Sequence, residues 1–156
     1  MSENDLRSQL APAPSADGDG TPMTGIPHSA RLGMRLVSTE PDTAILMIPY
    51  DERLIGDPAT RVMHGGAITS LLDTCCGTAV MLSRKKPRTT ATLDLRINYM
   101  RPATPDRAVY ARAHCYRATR SVGFVRAAAY HEDAEDPIAT ASAAFILEYG
   151  PDGPAE

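Results

Sequence analysis

Apolar and polar residues alternate along several segments of the chain, and a period of two is typical of strands with one buried face. The cleanest case is 91–99, where every second residue from Ala91 to Tyr99 is apolar and Thr92 begins the intervening polar series. This pattern predicts a strand with Ala91, Leu93 and Tyr99 on its buried face. Five further strands are predicted over 34–38, 43–49, 107–117, 121–131 and 137–148.

The segment from Ala67 to Leu82 is apolar almost all round and predicts one buried helix. It is shorter than the roughly 20 residues of a membrane span, and it contains the carboxylate of Asp73, which a span would disfavour. The chain therefore offers two strands, one helix and then four more strands. An antiparallel sheet with a single helix to cover one face predicts an α+β fold, with five to six strands wrapped around one long central apolar helix.

The two ends of the chain differ from the rest in composition. Residues 1–25 are rich in Pro, Gly, Ser, Asp and Ala, and such a segment buries too little apolar surface to offset the entropy of ordering. We therefore expect a disordered N-terminal arm over 1–25, one domain over 26–149 and a flexible tail over 150–156.

The composition, 43% apolar and 22% charged over 156 residues, is that of a globular domain. A net charge of −3 and an isoelectric point near 5.8 give no sign of a nucleic-acid-binding surface, and we expect neither a nucleic-acid nor a membrane partner. Basic residues cluster over 84–88 and 117–126, where a solvated loop and an anion site are both open interpretations. The N-terminus lacks the pattern of a secretory signal, which predicts a cytoplasmic protein.

Cysteines and histidines show no spacing that indicates a structural or catalytic metal. The three cysteines, Cys75, Cys76 and Cys115, form no disulfide framework, so we expect a reducing compartment and small buried side chains. The histidines, at positions 28, 64, 114 and 131, are not spaced as metal ligands, and no metal is predicted.

Two glycines, Gly65 and Gly66, stand where the apolar helix is expected to begin. The first backbone N–H groups of a helix have no partner within it, and the helix dipole adds partial positive charge there. Glycines place no side chain between these N–H groups and a ligand, so the position is suited to polarising a carbonyl. A plain transition from loop to helix is the alternative interpretation.

Asp73 is the one side chain between Ala67 and Leu82 that is charged at neutral pH. A carboxylate in a buried helix needs a partner or a role, and a hydrogen bond to Thr69 or Thr74 is the structural alternative. Gly66 and Asp73 are two turns apart, about 10 Å along the axis, too far to act on one carbonyl within a single helix. Two antiparallel copies would bring the glycines of one chain near the aspartate of the other, so a catalytic pair predicts an obligate dimer.

These residues resemble a known family. The stretch from His64 to Gly77 reads His-Gly-Gly-Ala-Ile-x-x-Leu-x-Asp-x-x-x-Gly and is similar to the signature of the hotdog-fold acyl-CoA thioesterases. The branch it most resembles is the PaaI-type, phenylacetate-pathway group of the 4-hydroxybenzoyl-CoA thioesterase superfamily. Residues 93–103 and 120–124 resemble the strand and the hairpin that follow the helix in that family.

The resemblance implies a hotdog fold and hydrolysis of the thioester of an acyl- or aryl-acyl-CoA to the free acid and CoA. Asp73 falls on the family's catalytic carboxylate, a nucleophile or a general base on water. Gly65, with Gly66 beside it, falls on the backbone N–H that polarises the carbonyl from the opposite subunit. Thr92 falls where some members carry a hydroxyl that positions the water. No cofactor is implied, because coenzyme A is part of the substrate.

The same resemblance suggests residues for binding CoA, although this sequence departs from the family at one position. The candidates for CoA binding are Arg120, Ser121 and Val122, with Arg84 and Arg101 as weaker ones. Members often carry an Asn or Gln about seven residues before the first glycine, where this chain has Asp57 and Pro58. An ionised Asp cannot donate a hydrogen bond, so the role of Asp57 is open. The family places His64 mainly in a structural role.

The sequence leaves two alternative functions open. One is a non-catalytic acyl-CoA-binding module. The other is a dehydratase, and the nine-residue spacing of His64 and Asp73 argues against it. A homodimer is expected, and a dimer of dimers stays open. The sequence does not disclose the acyl group, and the lining of its pocket is guessed from four apolar residues: Met63, Leu82, Tyr99 and Phe124.

Overall fold

The structure, a computed structural model, describes residues 20–151 and 153. Its elements in chain order are β1 (Thr21–Pro22), α1 (Pro27–Arg31), β2 (Arg35–Glu40), β3 (Thr43–Ile48), a 3-10 turn (Glu52–Leu54), β4 (Ile55–Asp57), β5 (Val62–Met63), α2 (Gly65–Met81), β6 (Thr89–Tyr99), β7 (Val109–Ala118), β8 (Val122–Tyr130) and β9 (Ala139–Glu148). The six predicted strands and the single long helix are all present, which confirms the α+β prediction.

The main sheet is antiparallel, with strand order β1-β2-β3-β7-β8-β9-β6, and β4 pairs with β5 in a separate ribbon. The sheet thus has seven strands rather than five to six. The additional strand is β1, in which Thr21 pairs with Leu36 and Pro22 with Arg35. A strand of two residues is too short to show an alternating pattern, so backbone pairing alone reveals it.

The predicted arm and tail fall mostly on residues outside the described ranges, namely 1–19, 152 and 154–156. Residues 20–25 are described, and they carry β1. The last part of the segment that was predicted as an arm therefore contributes to the sheet.

Helix α2 packs on the concave face of this sheet through a continuous apolar core. Leu71, Leu72, Cys75 and Cys76 are fully buried, and the three cysteines are free thiols, as expected for core residues. The strands turn small residues toward the helix, which lets the sheet curve closely around it. These are Ala111, Ala113, Ala127, Ala129, Ala141 and Ala143.

One face of α2 is not covered by the sheet, although the sequence predicted an almost wholly apolar helix. The partly exposed residues on it recur every three or four positions, which is one stripe of a helix. They are Thr69, Ser70, Asp73, Thr74, Gly77 and Met81. The catalytic candidate Asp73 therefore lies on the open stripe and not in the core.

A bulge in β6 changes which side chains of that strand face α2. Thr92 pairs with Phe145 and Leu95 pairs with Ala143, so one extra residue stands between them on β6. Directly paired residues of antiparallel strands share a face, so Thr92 lies on the inner face together with Leu95. Leu93 is 57% exposed. The strand prediction is confirmed, but the expected inner position of Ala91 and Leu93 is wrong.

Candidate active site

Asp73 lies halfway along the open stripe of α2, opposite the bulge of β6. Its Oδ1 accepts a hydrogen bond of 2.8 Å from Thr92 Oγ1. The bulge is the cause of this contact, because without it Thr92 would point to the outer face of the sheet. The partner is thus neither Thr69 nor Thr74, the two neighbours that the sequence offered.

The start of α2 is capped by His64. The Nδ1 of its ring accepts a hydrogen bond of 2.8 Å from Gly66 N–H, and its carbonyl accepts one of 3.0 Å from Ala67 N–H. A Cβ on Gly66 would lie 2.8 Å from His64 Nδ1, so the cap requires glycine at this position. His64 is engaged in holding the helix, in keeping with the structural role expected for it.

The cap distinguishes the two glycines. Gly66 N–H is occupied by the His64 ring, whereas Gly65 N–H has no acceptor within the described part of the chain. A free N–H at a helix start is the group that can polarise a carbonyl. This geometry favours Gly65 as the donor and makes Gly66 a structural residue.

Tyr99, at the end of β6, ties the first turn of α2 to the sheet. Its hydroxyl donates a hydrogen bond of 2.6 Å to the carbonyl of Gly65 and lies 2.8 Å from Thr69 Oγ1. Thr69 Oγ1 lies 3.0 Å from the same carbonyl. The alternation of β6 indicated that Tyr99 faces inward, but no local pattern could identify this contact.

A pocket of about 290 Å³ opens beside Asp73, between α2 and β6. Its walls come from α2, β6, β9, the end of β1 and the segment that follows it. The lining residues are Pro22, Met23, Ile26, Asp73, Thr74, Gly77, Thr78, Met81, Thr89, Thr90, Ala91, Thr92 and Phe145.

The four residues guessed to line the acyl pocket lie elsewhere. Met63 and Tyr99 line a separate cleft beside Gly65, and Leu82 packs against the core. Phe124 lies next to Tyr116, with ring centroids 6.5 Å apart, on the side of the sheet away from α2. Met63 and Tyr99 thus lie beside the helix start, and the guess about the acyl pocket stays a prediction.

Asp57 ends β4 and shapes the turn after it. Its Oδ1 accepts a hydrogen bond of 2.9 Å from Ala59 N–H, and its Oδ2 accepts one of 2.9 Å from Thr60 Oγ1. These hydrogen bonds, that of Ala59 first, lower the pKa of the Asp57 carboxyl. The side chain is therefore an ionised acceptor within its own turn, and it cannot replace an amide that donates to a substrate.

The candidates for CoA binding divide between the two ends of α2. Arg120, Ser121 and Val122 form the turn between β7 and β8, where Thr119 Oγ1 accepts a hydrogen bond of 3.0 Å from Val122 N–H. The adjoining Gly123 contacts Val80, near the end of the helix. This turn is therefore close to the last turn of α2.

The two weaker candidates lie apart from each other. Arg84 follows α2 and is 90% exposed, with Nε 4.0 Å from Asp42 Oδ2. Arg101 lines the cleft beside Gly65, at the other end of the helix, and its Nη2 donates hydrogen bonds to the backbone and side chain of Asp136 at 2.9 and 3.1 Å. The structure thus groups Arg84 with the Arg120 turn and separates Arg101 from both.

The cysteine thiols do not contribute a nucleophile. Burial raises the pKa of Cys75 to about 12 and that of Cys115 to about 11, and it raises the pKa of Cys76 as well. Only a thiolate is strongly nucleophilic, so these groups are inert at neutral pH. Residues 20–151 and 153 contain no group of three or more His, Cys, Asp or Glu side chains able to hold a metal ion, and no helix long and apolar enough to cross a membrane.

The region that contains this site matches a known protein family. Residues 61–138 match the model of the Thioesterase superfamily, and this range contains both Gly65 and Asp73. The medium/long-chain acyl-CoA thioesterase YigI of Escherichia coli K12 is 28% identical over 135 residues, which cover 78% of this chain and 86% of that protein.

Several solved structures are also similar to this chain. A crystal structure of a Pseudomonas aeruginosa protein is 40% identical and has a TM-score of 0.72, covering 80% of this chain and 92% of that one. The PaaI protein of the E. coli phenylacetic acid degradation operon also has a TM-score of 0.72, with coverage of 81% and 88%. At 16% identity, the likeness to PaaI shows the hotdog fold alone.

Proposed function

This chain belongs to the Thioesterase superfamily and is a thioester hydrolase, and we propose that its substrate is an acyl-CoA, which it hydrolyses to the free acid and CoA. The observation that carries the proposal is the carboxylate of Asp73, held by Thr92 at the mouth of a pocket on the open stripe of α2. The similarity to a medium/long-chain acyl-CoA thioesterase supports an aliphatic acyl group.

Asp73 supplies the attack on the thioester carbon. Thr92 donates to Oδ1, which leaves Oδ2 free to act. As a general base, Oδ2 removes a proton from water while the water oxygen bonds to the carbonyl carbon. The C–S bond then breaks, and the CoA sulfur leaves as a thiol once it has taken up that proton. As a nucleophile, Oδ2 would instead bond to the carbon, and the C–S bond would break to release the CoA thiolate and leave an anhydride. Water then hydrolyses the anhydride to the free acid and the Asp73 carboxylate, and the proton released in that step is taken up by the thiolate.

Gly65 stabilises the negative charge that develops on the carbonyl oxygen. Its N–H is unoccupied, points out of a helix start and adds the positive end of the helix dipole. Gly65 is eight residues from Asp73, about 12 Å along the helix, so one chain cannot apply both groups to one carbonyl. The proposal therefore requires the carboxylate of one protomer and the helix start of another.

The surface of the protomer supports this pairing. Strand β6 is at the edge of the sheet, with β9 as its one neighbour, and it leaves backbone groups free for another strand. Three large apolar residues along this strand, Leu93, Tyr99 and the following Met100, are 57%, 49% and 61% exposed. A two-fold axis next to β6 would bury apolar surface of this strand and make the two copies of α2 antiparallel.

The test is turnover of a series of acyl-CoAs by the wild type and by Asp73→Asn, with the released thiol measured by a chromogenic reagent. The Asn side chain still accepts from Thr92 but is neither a base nor a nucleophile, so a loss of about 10²–10⁴-fold in kcat is expected. Asp133→Asn, in the turn between β8 and β9, is the matched control and should retain full activity. Unchanged turnover in Asp73→Asn would contradict the mechanism.

Two further readouts separate the alternatives. Binding of acyl-CoA to the wild type without thiol release would favour a non-catalytic acyl-CoA-binding module. A single turnover in ¹⁸O-labelled water, with enzyme in excess, separates the two roles of Asp73. A general base sends the label from water directly into the product acid, whereas an anhydride opened at the Asp73 carbonyl carbon leaves the label on Asp73 and releases unlabelled acid.

A further inference from the structure

The pocket beside Asp73 has a wall that the family match does not include. Pro22, Met23 and Ile26 line it opposite α2, and they precede residues 61–138, which match the Thioesterase superfamily. The size of the pocket therefore depends on a segment particular to the N-terminal part of this chain.

The backbone of this segment is fixed to the sheet at Met23 and again before β1. Met23 N–H donates a hydrogen bond of 3.0 Å to Met34 O, just after the β1 pairing with β2. Before β1, the Arg35 guanidinium donates two hydrogen bonds to Gly20 O, at 2.7 and 3.1 Å. The Met23 side chain is partly buried and packs against the core, so this wall is built into the fold.

The pocket suits an uncharged, apolar group. Three of its five threonine hydroxyls donate to protein acceptors: Thr78 to Thr74 O at 2.8 Å, Thr90 to Ile146 O at 2.7 Å and Thr92 to Asp73 Oδ1 at 2.8 Å. Within residues 20–151, no Lys, Arg or His side chain lines it, and the one charge among its lining residues is the carboxylate of Asp73. An acyl group with a second carboxylate would find no cation and would be repelled.

Gly77 forms the opposite wall, one helical turn beyond Asp73. A Cβ at this position would lie 3.4 Å from Phe145 Cε1, an ordinary contact, so alanine fits without displacing the ring. The added methyl would take space from the pocket. Alanine also has a higher helix propensity than glycine, so the substitution should not unfold the helix.

We propose that this pocket receives the acyl chain of the substrate, a straight and uncharged aliphatic group, and that Met23 and Gly77 set the length it accepts. The proposal rests on the acyl-CoA thioesterase function proposed above. Met23 limits the pocket with a flexible thioether, and Gly77 enlarges it by having no side chain. A smaller side chain at position 23 should therefore shift the preference toward longer acyl chains. A larger side chain at position 77 should shift it toward shorter ones.

The experiment measures kcat/KM for saturated acyl-CoAs from butanoyl to palmitoyl in the wild type, Met23→Ala and Gly77→Ala. Met23→Ala should raise the ratio of long-chain to short-chain kcat/KM about tenfold, and Gly77→Ala should lower it about tenfold. Succinyl-CoA should be hydrolysed at least about tenfold less efficiently than butanoyl-CoA by the wild type. A general loss of structure would lower all chain lengths together, so the ratio isolates the pocket.

Two controls match the two substitutions. Ile45→Ala removes similar apolar bulk from a partly buried position on β3, away from the pocket, and Gly150→Ala adds a methyl where nothing lies within 4 Å. Both should keep the wild-type ratio. A ratio unchanged in Met23→Ala and Gly77→Ala, or shifted equally in the controls, overturns the proposal.

Binding is measured in parallel with S-alkyl-CoA thioethers of the same lengths, which cannot be hydrolysed. The Kd values should follow the same opposite shifts. If the Kd values of the two variants show these shifts but the wild type releases no thiol from acyl-CoA, the proposed thioesterase function fails while the pocket proposal stands. If the wild type hydrolyses acyl-CoA and neither ratio moves, the pocket proposal fails alone.

Discussion

The start and the middle of α2 differ in how they present the two proposed catalytic groups. At the start, the group is a backbone N–H of Gly65, positioned by His64 and Tyr99 through hydrogen bonds to the first turn. In the middle, it is the side chain of Asp73, oriented by Thr92. A side chain can be removed by substitution, whereas a backbone donor can be tested only through the residues that hold it.

The largest effect should come from mixing two inactive variants. Gly66→Ala places a Cβ 2.8 Å from His64 Nδ1 and displaces the cap, so a loss of about 10²–10³-fold in kcat is expected. In a heterodimer with Asp73→Asn, one site combines an intact helix start with an intact carboxylate. Co-refolding the two should restore about a quarter of wild-type activity if the groups come from different chains. No recovery, with heterodimers shown by native mass spectrometry, would contradict a shared site.

Next in size is Thr92→Val, which keeps the shape of the side chain but removes its hydrogen bond to Asp73. A hydrogen bond to a carboxylate contributes about 1.5–3 kcal/mol, so kcat should fall about 10–100-fold with little change in KM. Thr92→Ser keeps the hydroxyl and should recover most of the rate. Equal activity in Thr92→Val and Thr92→Ser would show that the hydroxyl does not orient the carboxylate.

A smaller loss is expected for Tyr99→Phe, which removes the hydroxyl that donates to the Gly65 carbonyl but keeps the ring. A hydrogen bond between neutral groups contributes about 0.5–1.5 kcal/mol, so kcat should fall by about threefold to tenfold. Tyr116→Phe, on the side of the sheet away from α2, is the matched control and should match the wild type. If both variants lose the same amount, the Tyr99 hydroxyl has no particular role at the helix start.

The smallest effect at neutral pH is expected for the buried thiol of Cys75, on the core side of α2. Burial raises the pKa of Cys75 from 9.0 to about 12, so the folded state holds this proton more tightly than the unfolded state. The free energy of unfolding should therefore be independent of this group below about pH 9 and should fall as the pH rises from 9 toward 12. Denaturant titrations at several alkaline pH values, on the wild type and Cys75→Ala, measure this slope. An equal slope in both would exclude Cys75 as its cause.

Local patterns were sufficient for the long strands, the long helix and the main catalytic candidate. The period of two gave the long strands, the apolar segment gave α2, and Asp73 was singled out as a lone charge within it. The motif from His64 to Gly77 then predicted the hotdog fold and the thioester hydrolase class, which the comparisons confirm. These features are determined by the sequence because they depend on neighbours within a few residues of each other along the chain.

Only the tertiary structure decided which groups meet at the site. The bulge that turns Thr92 toward Asp73 depends on the register between β6 and β9, set by residues some 50 positions away. The contact of Tyr99 with Gly65, and Met23 in the pocket wall, likewise join distant parts of the chain. Such contacts arise from pairing and packing between elements, and a periodic pattern records only which residues are buried, not what they are buried against. The sequence thus identified the carboxylate, and the fold supplied its partner and its pocket.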